Sequence, residues 1–249
     1  MSSNTDTRPS EPSTPASRQH LDPNVPDTFS HLPLHWIVLN NNIEVAEQLL
    51  RQKDIDLNRR DEQGKTPLAI AAQKGFHEIV EHLLSHEDLI PDLRDLDGRT
   101  PLIWAAGWSG SEDIVRLLLA REDVDFNACD REGQAAITWA TRRRQYNIVE
   151  ILLEMEGIKP EVEDQYGLTP LEWACRVNSK EVVRMLLKRN DVNPHVRRAT
   201  AVGPSTWATE YAGDEIIRML RDAGATDVGR PWAVRRQRRI WDVDLGYWV

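Results

Sequence analysis

Cysteine and long apolar runs are scarce in this sequence. Its 249 residues include two cysteines, Cys129 and Cys175, which cannot form a disulfide framework and supply no Cys-x-x-Cys pair for zinc. No stretch approaches the roughly 18 to 20 apolar residues that a membrane span needs. Residues 1–20 also lack the apolar core of a signal peptide. We therefore expect an intracellular protein, in the cytoplasm or the nucleus, without a membrane segment.

Motifs for catalysis and cofactor binding are missing as well. The sequence has neither a Gly-rich phosphate loop nor the Gly-x-Ser-x-Gly turn that presents a nucleophilic serine. The segment HEIVEH (77–82) resembles a zinc-protease motif, but its histidines are five residues apart, and two ligands on one helix face need a spacing of four. His82 and His86 have that spacing, but no third ligand is evident. The sequence predicts no catalytic residue, no metal site and no cofactor.

Positive charge is in the minority and is unevenly distributed. Residues 31–227 contain 24 basic and 34 acidic residues, whereas residues 228–249 contain five basic and two acidic ones. Because nucleic-acid binding depends on the neutralisation of phosphates, the acidic body argues against direct binding of nucleic acid. The basic C-terminal segment is a separate, local feature.

An internal repeat is the dominant signal, because it recurs in two independent registers. The first register is a Pro position whose spacings are 34, 34, 35, 34 and 34 residues: Pro33, Pro67, Pro101, Ala136, Pro170 and Pro204. The second register is the first residue of an apolar run: Val45, Ile79, Ile114, Ile148, Val182 and Ile216. Both registers contain one extra residue between Ala105 and Ile114. We expect the loop between two helices to absorb it.

Each unit is typical of two short helices followed by a turn. A Thr before the Pro position caps the first helix, and the second helix carries its apolar residues at a helical period. Asp-x-x-Gly segments such as 61–64 and 95–98 predict turns between units. Residues that tolerate positive φ end the first helices at Asn41, Gly75, Gly110 and Asn178, whereas the fourth unit has Arg144 there.

Two segments closely resemble the ankyrin consensus: DEQGKTPLAIAAQKGFHEIVEHLL (61–84) and DLDGRTPLIWAAGWSGSEDIVRLLL (95–119). The resemblance covers about residues 31–227. It implies an all-α repeat solenoid in which helix-turn-helix units carry projecting β-turn fingers. The Thr-Pro-Leu-x-Trp-Ala variant is similar to ankyrin arrays of filamentous fungi. Six units are expected, of which the first and last are irregular caps, at about 31–60, 61–94, 95–129, 130–163, 164–197 and 198–227.

Tryptophan is unusually common, with nine residues, and five of them share one position three residues after the Pro position. These are Trp36, Trp104, Trp139, Trp173 and Trp207, and the second unit has Ile70 instead. Tryptophan at repeat spacing predicts a core ladder between neighbouring first helices, with each indole N–H bonded to a nearby carbonyl. Cys175 lies in an Ala position and is expected to be a small core residue.

The two ends of the chain differ in character. Residues 1–30 are rich in Ser, Thr, Pro and Asp and are expected to form a disordered tail. Residues 228–249 contain several tryptophans and the basic cluster RRQRR (235–239). One interpretation of this segment is a cap on the sixth unit, with a short helix from Pro231 in which Val234 and Trp241 share a face. The other is a functional segment that docks on a partner or directs nuclear import.

The resemblance implies a partner-binding surface, because partners of ankyrin arrays usually meet the fingers and the exposed side of the first helices. Finger positions include Lys65, Leu96, Arg99 and Tyr166. Helix positions that we expect to line one groove are Lys74, Trp108, Arg142, Arg143 and Arg176, with Tyr211 further along the chain. Arg and Trp are common at binding hot spots, and a basic groove on an acidic body favours an acidic segment of a partner. The alternative is that these are solvated surface residues.

Together these features favour a monomeric adaptor that binds another protein through the concave groove and the turn fingers and does no chemistry. A narrower version is a transcriptional coregulator of the ankyrin type. A contrasting alternative is a small-molecule binder or an enzyme built on the repeat scaffold. An effector that acts in a host is a third alternative, which no targeting sequence supports.

Overall fold

Pairs of short helices repeat along the chain. The computed structural model describes residues 33–52, 54–195, 204, 207–208, 212–225, 241–242 and 247–248. Within them, each unit has a first and a second helix: α1 (Pro33–Leu39) and α2 (Ile43–Leu50), α3 (Pro67–Lys74) and α4 (His77–Leu84), α5 (Pro101–Trp104) and α6 (Glu112–Leu119), α7 (Ala136–Arg142) and α8 (Tyr146–Leu153), α9 (Pro170–Arg176) and α10 (Lys180–Leu187). A further helix, α11, spans Asp214–Asp222. The predicted all-α repeat solenoid is confirmed.

The first helices begin at the Pro position, as predicted. Thr66, Thr100 and Thr169 each accept a hydrogen bond from the backbone N–H three residues further on, and the proline that follows fits the first helical position because it needs no N–H partner there. In α9 the cap is reciprocal, since the Glu172 carboxylate accepts a hydrogen bond from the Thr169 backbone N–H at 2.7 Å. Ala135 replaces the Thr of the fourth unit, and α7 begins without a side-chain cap.

A residue with left-handed backbone follows each of these first helices. Asn41, Gly75, Gly110 and Asn178 have φ angles of 51°, 80°, 63° and 54°, as predicted. Arg144 departs from this pattern in residue type but not in conformation, because its φ is 58°. Its guanidinium donates a hydrogen bond to the carbonyl of Val177 in the next unit. This contact helps to hold a conformation that costs an ordinary residue about 1 kcal/mol.

The extra residue of the third unit lies inside the first helix and not in the loop. The chain continues from α5 into a π-helix, Ala105–Ser109, and the Gly110 N–H donates to the Ala105 carbonyl at 3.1 Å. A π-turn accommodates one inserted residue in an α-helix. Alignment of AAGWSG (105–110) with AAQKG (71–75) identifies Gly107 as that residue. The predicted loop is therefore wrong, because a wider helical turn absorbs the insertion.

One hydrophobic core runs through the described units. The apolar runs of the second helices are buried, as Ile79, Val80 and Leu83 of α4 illustrate. α4 packs against α6 and α6 against α8, while α3 packs against α5 and the π-helix. The small residues Ala71 and Ala105 are fully buried, and their size lets neighbouring first helices approach closely. Cys175 is also fully buried, which confirms its predicted core position.

The fingers are the Asp-x-x-Gly turns 61–64, 95–98, 130–133 and 164–167, and backbone hydrogen bonds join them into one edge. Gly64 is required in its turn because its φ is +76° and an added Cβ would lie 2.8 Å from the backbone nitrogen of Leu96. Each later finger donates an N–H to a carbonyl of the preceding one: Leu96 to Gln63 at 3.0 Å, Arg131 to Asp97 at 2.9 Å and Gln165 to Glu132 at 2.7 Å.

The C-terminal segment contains a two-stranded antiparallel sheet, β1 (Trp241–Asp242) and β2 (Tyr247–Trp248). The hypothesis of a helix that includes Trp241 is therefore wrong, because Trp241 has a strand backbone paired with Trp248. The predicted tail 1–30 and the basic cluster 235–239 lie outside the described residues. In the described part of the chain, every helix is too short or too polar to cross a membrane.

Candidate partner-binding groove

In the third, fourth and fifth units a hydrogen bond between an indole and a carboxylate joins the first helix to the finger of its own unit. The Oδ2 atom of a finger aspartate accepts the indole Nε1–H at 2.8 Å in three units: Asp95 from Trp104, Asp130 from Trp139 and Asp164 from Trp173. Oδ1 of the same aspartates accepts two backbone N–H groups within the turn. In these three units the predicted carbonyl acceptor is therefore wrong, because the finger presents a carboxylate beside the indole.

The core ladder of tryptophans is confirmed in four of its five members. Trp104, Trp139, Trp173 and Trp207 are buried. Trp36 is 52% exposed, so its predicted core position is wrong. It lies in the first described unit, and the described residues include no preceding unit that would cover its indole.

The buried finger carboxylates balance the cations of the groove. Burial raises the pKa of Asp130, while the N–H groups of Gln134 and Trp139 and the nearby Arg99 guanidinium act in the opposite direction. The Arg99 Nε atom lies 3.9 Å from Asp130 Oδ2. The Arg99 guanidinium therefore favours the charged form of the Asp130 carboxylate in the adjacent unit.

Cationic side chains occupy the spaces between successive ladder positions, and we call each such space a rung. Arg142 lies between Trp139 and Trp173, with its guanidinium carbon 4.3 and 4.5 Å from the two ring centroids. Arg176 lies between Trp173 and Trp207 at 5.2 and 4.4 Å. Cation–π attraction acts at distances up to about 6 Å from the ring centroid. The groove floor is therefore a stack in which cations alternate with indoles.

In the second to fifth units two positions supply the rung, and each pair contains one cation. The position before the helix cap holds Lys65, Arg99, Gln134 and Leu168 in successive units, and the position two residues before the left-handed residue holds Gln73, Trp108, Arg142 and Arg176. In the second and third units the first position is basic and the second is neutral. In the fourth and fifth units the first position is neutral and the second is basic. The paired side chains are in contact, since Lys65 donates to Gln73 at 3.0 Å and Arg142 donates to Gln134. The two positions are therefore complementary in charge.

The rung of the third unit differs from the others because its helix position carries an indole. The ring centroid of Trp108 lies 4.3 Å from that of Trp104 and 4.5 Å from that of Trp139. The Arg99 guanidinium lies 4.7 Å from the Trp108 centroid, and that of Arg143 lies 5.1 Å from it. We call these five residues the Trp108 rung. Within it, the side chains of Trp108, Arg99 and Arg143 are partly exposed.

The structure brings most of the predicted groove residues together but changes the role of two. Arg142 and Arg176 are only 6% and 5% exposed, so their predicted exposure to a partner is wrong. They are buried because the indole of the next unit covers each guanidinium. Lys74 is exposed, and Lys65 is partly exposed, over the Trp104 ring at 4.1 Å. Tyr211 lies outside the described residues.

Two fingertips expose large apolar side chains. Leu96 is 55% exposed in the third unit, and Tyr166 is 46% exposed in the fifth. Both belong to the predicted finger positions. Exposed apolar residues beside a groove are a common feature of protein interaction sites.

Sequence reasoning missed the finger aspartates as partners of the tryptophans. A usable signal was present, because an Asp precedes the Trp by nine residues at Asp95, Asp130 and Asp164. It also did not foresee the contact of the fully buried finger residue Gln134, whose Nε2 donates to Asp164 Oδ2 at 3.1 Å. That contact joins the fourth unit to the fifth. The repeat pattern contains no signal for it, because the equivalent positions of the other units hold Lys65, Arg99 and Leu168.

The described residues offer little for chemistry. Burial raises the pKa of the Cys175 thiol, which keeps it protonated and unreactive. No group of three or more His, Cys, Asp or Glu side chains in the described ranges is arranged to hold a metal ion. A cavity of about 150 Å³ between the third and fourth units is lined by Glu112, Arg144 and Tyr146 among others. It contains no arrangement of nucleophile and base.

Stacked helix pairs with fingers on one edge and first helices along a groove define a helical repeat scaffold. The chain belongs to the ankyrin-repeat family, because the family model described as ankyrin repeats (3 copies) matches residues 16–93, 34–130, 86–164 and 109–198. It is also 44% identical over 52 residues to NF-kappa-B inhibitor alpha of Gallus gallus. That alignment covers 21% of this chain and 16% of the relative, so it spans a small part of both proteins. Ankyrin repeats generally mediate protein–protein interaction, and the family is typically non-enzymatic.

Proposed function

We propose that this protein is an adaptor that binds a partner protein through the groove between the fingers and the first helices. The observation that carries the proposal is the pair of apolar fingertips, Leu96 and Tyr166, which are exposed on the edge of a rigid groove. Finger-to-finger hydrogen bonds hold that edge in place. A preorganised surface loses little entropy when it binds.

An acidic segment is the partner chemistry that fits this groove. Lys74 is exposed on α3, and the cations Arg99 and Arg143 are partly exposed beside Trp108. Asp95 and Asp130, the first residues of their fingers, hold their carboxylates inward, on indoles and turn N–H groups. The cations therefore face the groove more than the buried carboxylates do, and they would attract the carboxylates of a partner that reaches the groove.

A capture experiment from native cell extract tests the adaptor proposal. The variant Leu96→Ser/Tyr166→Ser removes apolar contact area at the fingertips without touching the core. We expect it to lose at least about tenfold in affinity for the captured protein, as truncation of a hot spot does. The control is Arg116→Glu on α6, an exposed residue of a second helix. The proposal fails if wild type captures nothing, or if the control variant is the one that loses the partner.

A transcriptional coregulator is the narrower version of this function. It is supported by the basic cluster 235–239 and by the partial similarity to a protein named as an inhibitor of NF-kappa-B. We expect the chain to accumulate in the nucleus and to lose this accumulation when the four arginines of the cluster are replaced by alanine. A distribution that the replacement leaves unchanged contradicts the coregulator version and leaves the adaptor proposal intact.

A further inference from the structure

We infer that the Trp108 rung is the point of the groove that determines which partner is bound, and that it takes an apolar side chain next to a carboxylate. The inference rests on the adaptor function proposed above and adds to it a named site and a ligand chemistry. It depends on how this rung differs from its neighbours.

The other rungs leave little of their aromatic surface to a partner. In the rungs of the fourth and fifth units, a buried arginine fills the space between two buried indoles. The second unit has Ile70 in place of a ladder tryptophan, and its rung is filled by Lys65 and Gln73. In the third unit alone among the described rungs, the helix position holds an indole, and that indole is partly exposed.

The π-helix gives the third unit room for this extra indole. The Trp108 ring centroid lies 4.3 Å from that of Trp104 and 4.5 Å from that of Trp139. The inserted Gly107 lies beneath them, and a Cβ on it would be 3.2 Å from Trp139 Cβ. Single π-turns are frequent at functional sites. The 35-residue unit thus carries an indole at the position where its 34-residue neighbours carry Gln73 and Arg142.

The ligand chemistry follows from the two groups that flank the exposed part of the indole. Arg99 and Arg143 each place a guanidinium about 5 Å from the Trp108 ring centroid, at 4.7 and 5.1 Å. An indole surface binds an apolar side chain, and a guanidinium binds a carboxylate through paired N–H donors. The exposed Leu96 fingertip of the same unit adds apolar area. A segment with an acidic residue next to a Leu, Ile, Val or aromatic residue meets both requirements.

Selection from a random library of 12-residue peptides displayed on phage tests the inference without a known partner. Fluorescence anisotropy then measures the affinity of the selected peptides for wild type and for a variant. In this variant, the pair of residues in the rung of the third unit is replaced by the pair found in the rung of the fourth unit. This variant is Arg99→Gln/Trp108→Arg, which reproduces the Gln134/Arg142 pair and leaves the number of cations in the rung unchanged. A urea unfolding curve confirms that it is folded. The fingertip variant Leu96→Ser/Tyr166→Ser is measured alongside.

Each result separates the inference from the proposed function. We expect the selected peptides to share an acidic residue next to an apolar one, and to bind the exchanged variant at least about tenfold more weakly than wild type. Equal affinity for both overturns the inference, and the adaptor function stands if the fingertip variant still weakens binding. Selected peptides without acidic residues overturn the ligand chemistry. A library that yields no binding peptide on wild type contradicts both.

Discussion

At the scale of single residues, the finger aspartate joins two kinds of structure with its two oxygens. Oδ1 of Asp130 accepts the backbone N–H groups of Glu132 and Gln134, and Oδ2 accepts the indole N–H of Trp139. The two bonds to Oδ1 shape the turn, and the single bond to Oδ2 holds the helix beside it. A single residue type therefore couples the finger to the groove floor.

Replacement of Asp130 by Asn separates these two roles. The amide oxygen of Asp130→Asn still serves the turn, but its NH₂ group faces the Trp139 N–H, so a buried donor loses its acceptor. We expect a loss of about 2 kcal/mol in the free energy of unfolding, measured by urea denaturation. The control is Asp61→Asn in the second unit, where Ile70 replaces the indole and the expected loss is under about 1 kcal/mol. Equal losses in the two variants would show that the indole bond contributes nothing.

Glu172 makes stability depend on pH through its burial. Burial raises its pKa from 4.5 to about 7, although hydrogen bonds from Thr169 act in the opposite direction. The folded state therefore holds a proton that the unfolded state releases between these two values. The resulting contribution to stability is fully present below pH 4.5 and is lost as the pH rises through about 7.

The variant Glu172→Gln tests this pH dependence, because a neutral amide at the third helical position keeps the capping box. We expect it to be more stable than wild type at pH 8, by roughly 2 kcal/mol, and close to wild type at pH 4. The difference between the two urea midpoints at each pH measures the effect and cancels the titration of other groups. A difference that stays constant from pH 4 to pH 8 would contradict the buried-carboxyl explanation.

At the scale of elements, the rungs decide how one first helix contacts the next. Each rung pairs a residue before the helix cap with a residue near the helix end, and one of the two is a cation. In the third to fifth units the cation attracts the faces of the indoles on both sides. Adjacent helices are therefore joined by charge and ring contacts as well as by buried apolar area.

An exchange within the fourth rung tests this pairing. The single variant Arg142→Gln leaves two neutral side chains between Trp139 and Trp173, and we expect a loss of about 2 kcal/mol because a desolvated cation–π contact is removed. The double variant Gln134→Lys/Arg142→Gln reproduces the Lys65/Gln73 pair of the second unit. It should recover at least half of the loss in urea unfolding. A double variant no more stable than the single one would show that the position of the cation matters more than its presence.

At the scale of the whole molecule, the acidic body and the cations of the groove act in opposite directions on a partner. The net charge is −9, so an acidic partner is repelled at long range and attracted only near the groove. Salt screens charges beyond a Debye length of about 10 Å at 0.1 M. The short-range attraction between paired side chains is screened less than the long-range repulsion.

The salt dependence of binding therefore separates the two effects. For an acidic peptide selected on the wild-type groove, we expect the dissociation rate to rise by roughly tenfold between about 0.05 and 0.5 M NaCl, because contacts with Arg99 and Arg143 weaken. The variant Arg143→Gln should flatten this rise. Stopped-flow fluorescence of the labelled peptide measures the dissociation rate from wild type and from the variant. A dissociation rate that salt leaves unchanged would contradict an acidic ligand.

Much of the fold was predictable because the signals are local. Thr66 and Pro67 start a helix by bonding and geometry within four residues, and Gly75 ends it because its φ is positive. The candidate site was less predictable. The burial of Arg142 depends on Trp173 in the next unit, and that of Arg176 depends on Trp207. Neither can be read from one unit alone.

The sequence by itself determined the period, the helix starts, the turns and the tryptophan position, because each depends on residues close together in the chain or on repetition. The tertiary structure decided which cations stay accessible, because stacking places the indole of one unit over the guanidinium of the unit before it. It also decided that Gly107 widens a helix instead of lengthening a loop, since the indoles of Trp104, Trp108 and Trp139 must pack together there. Contacts between units are made only when the chain is stacked.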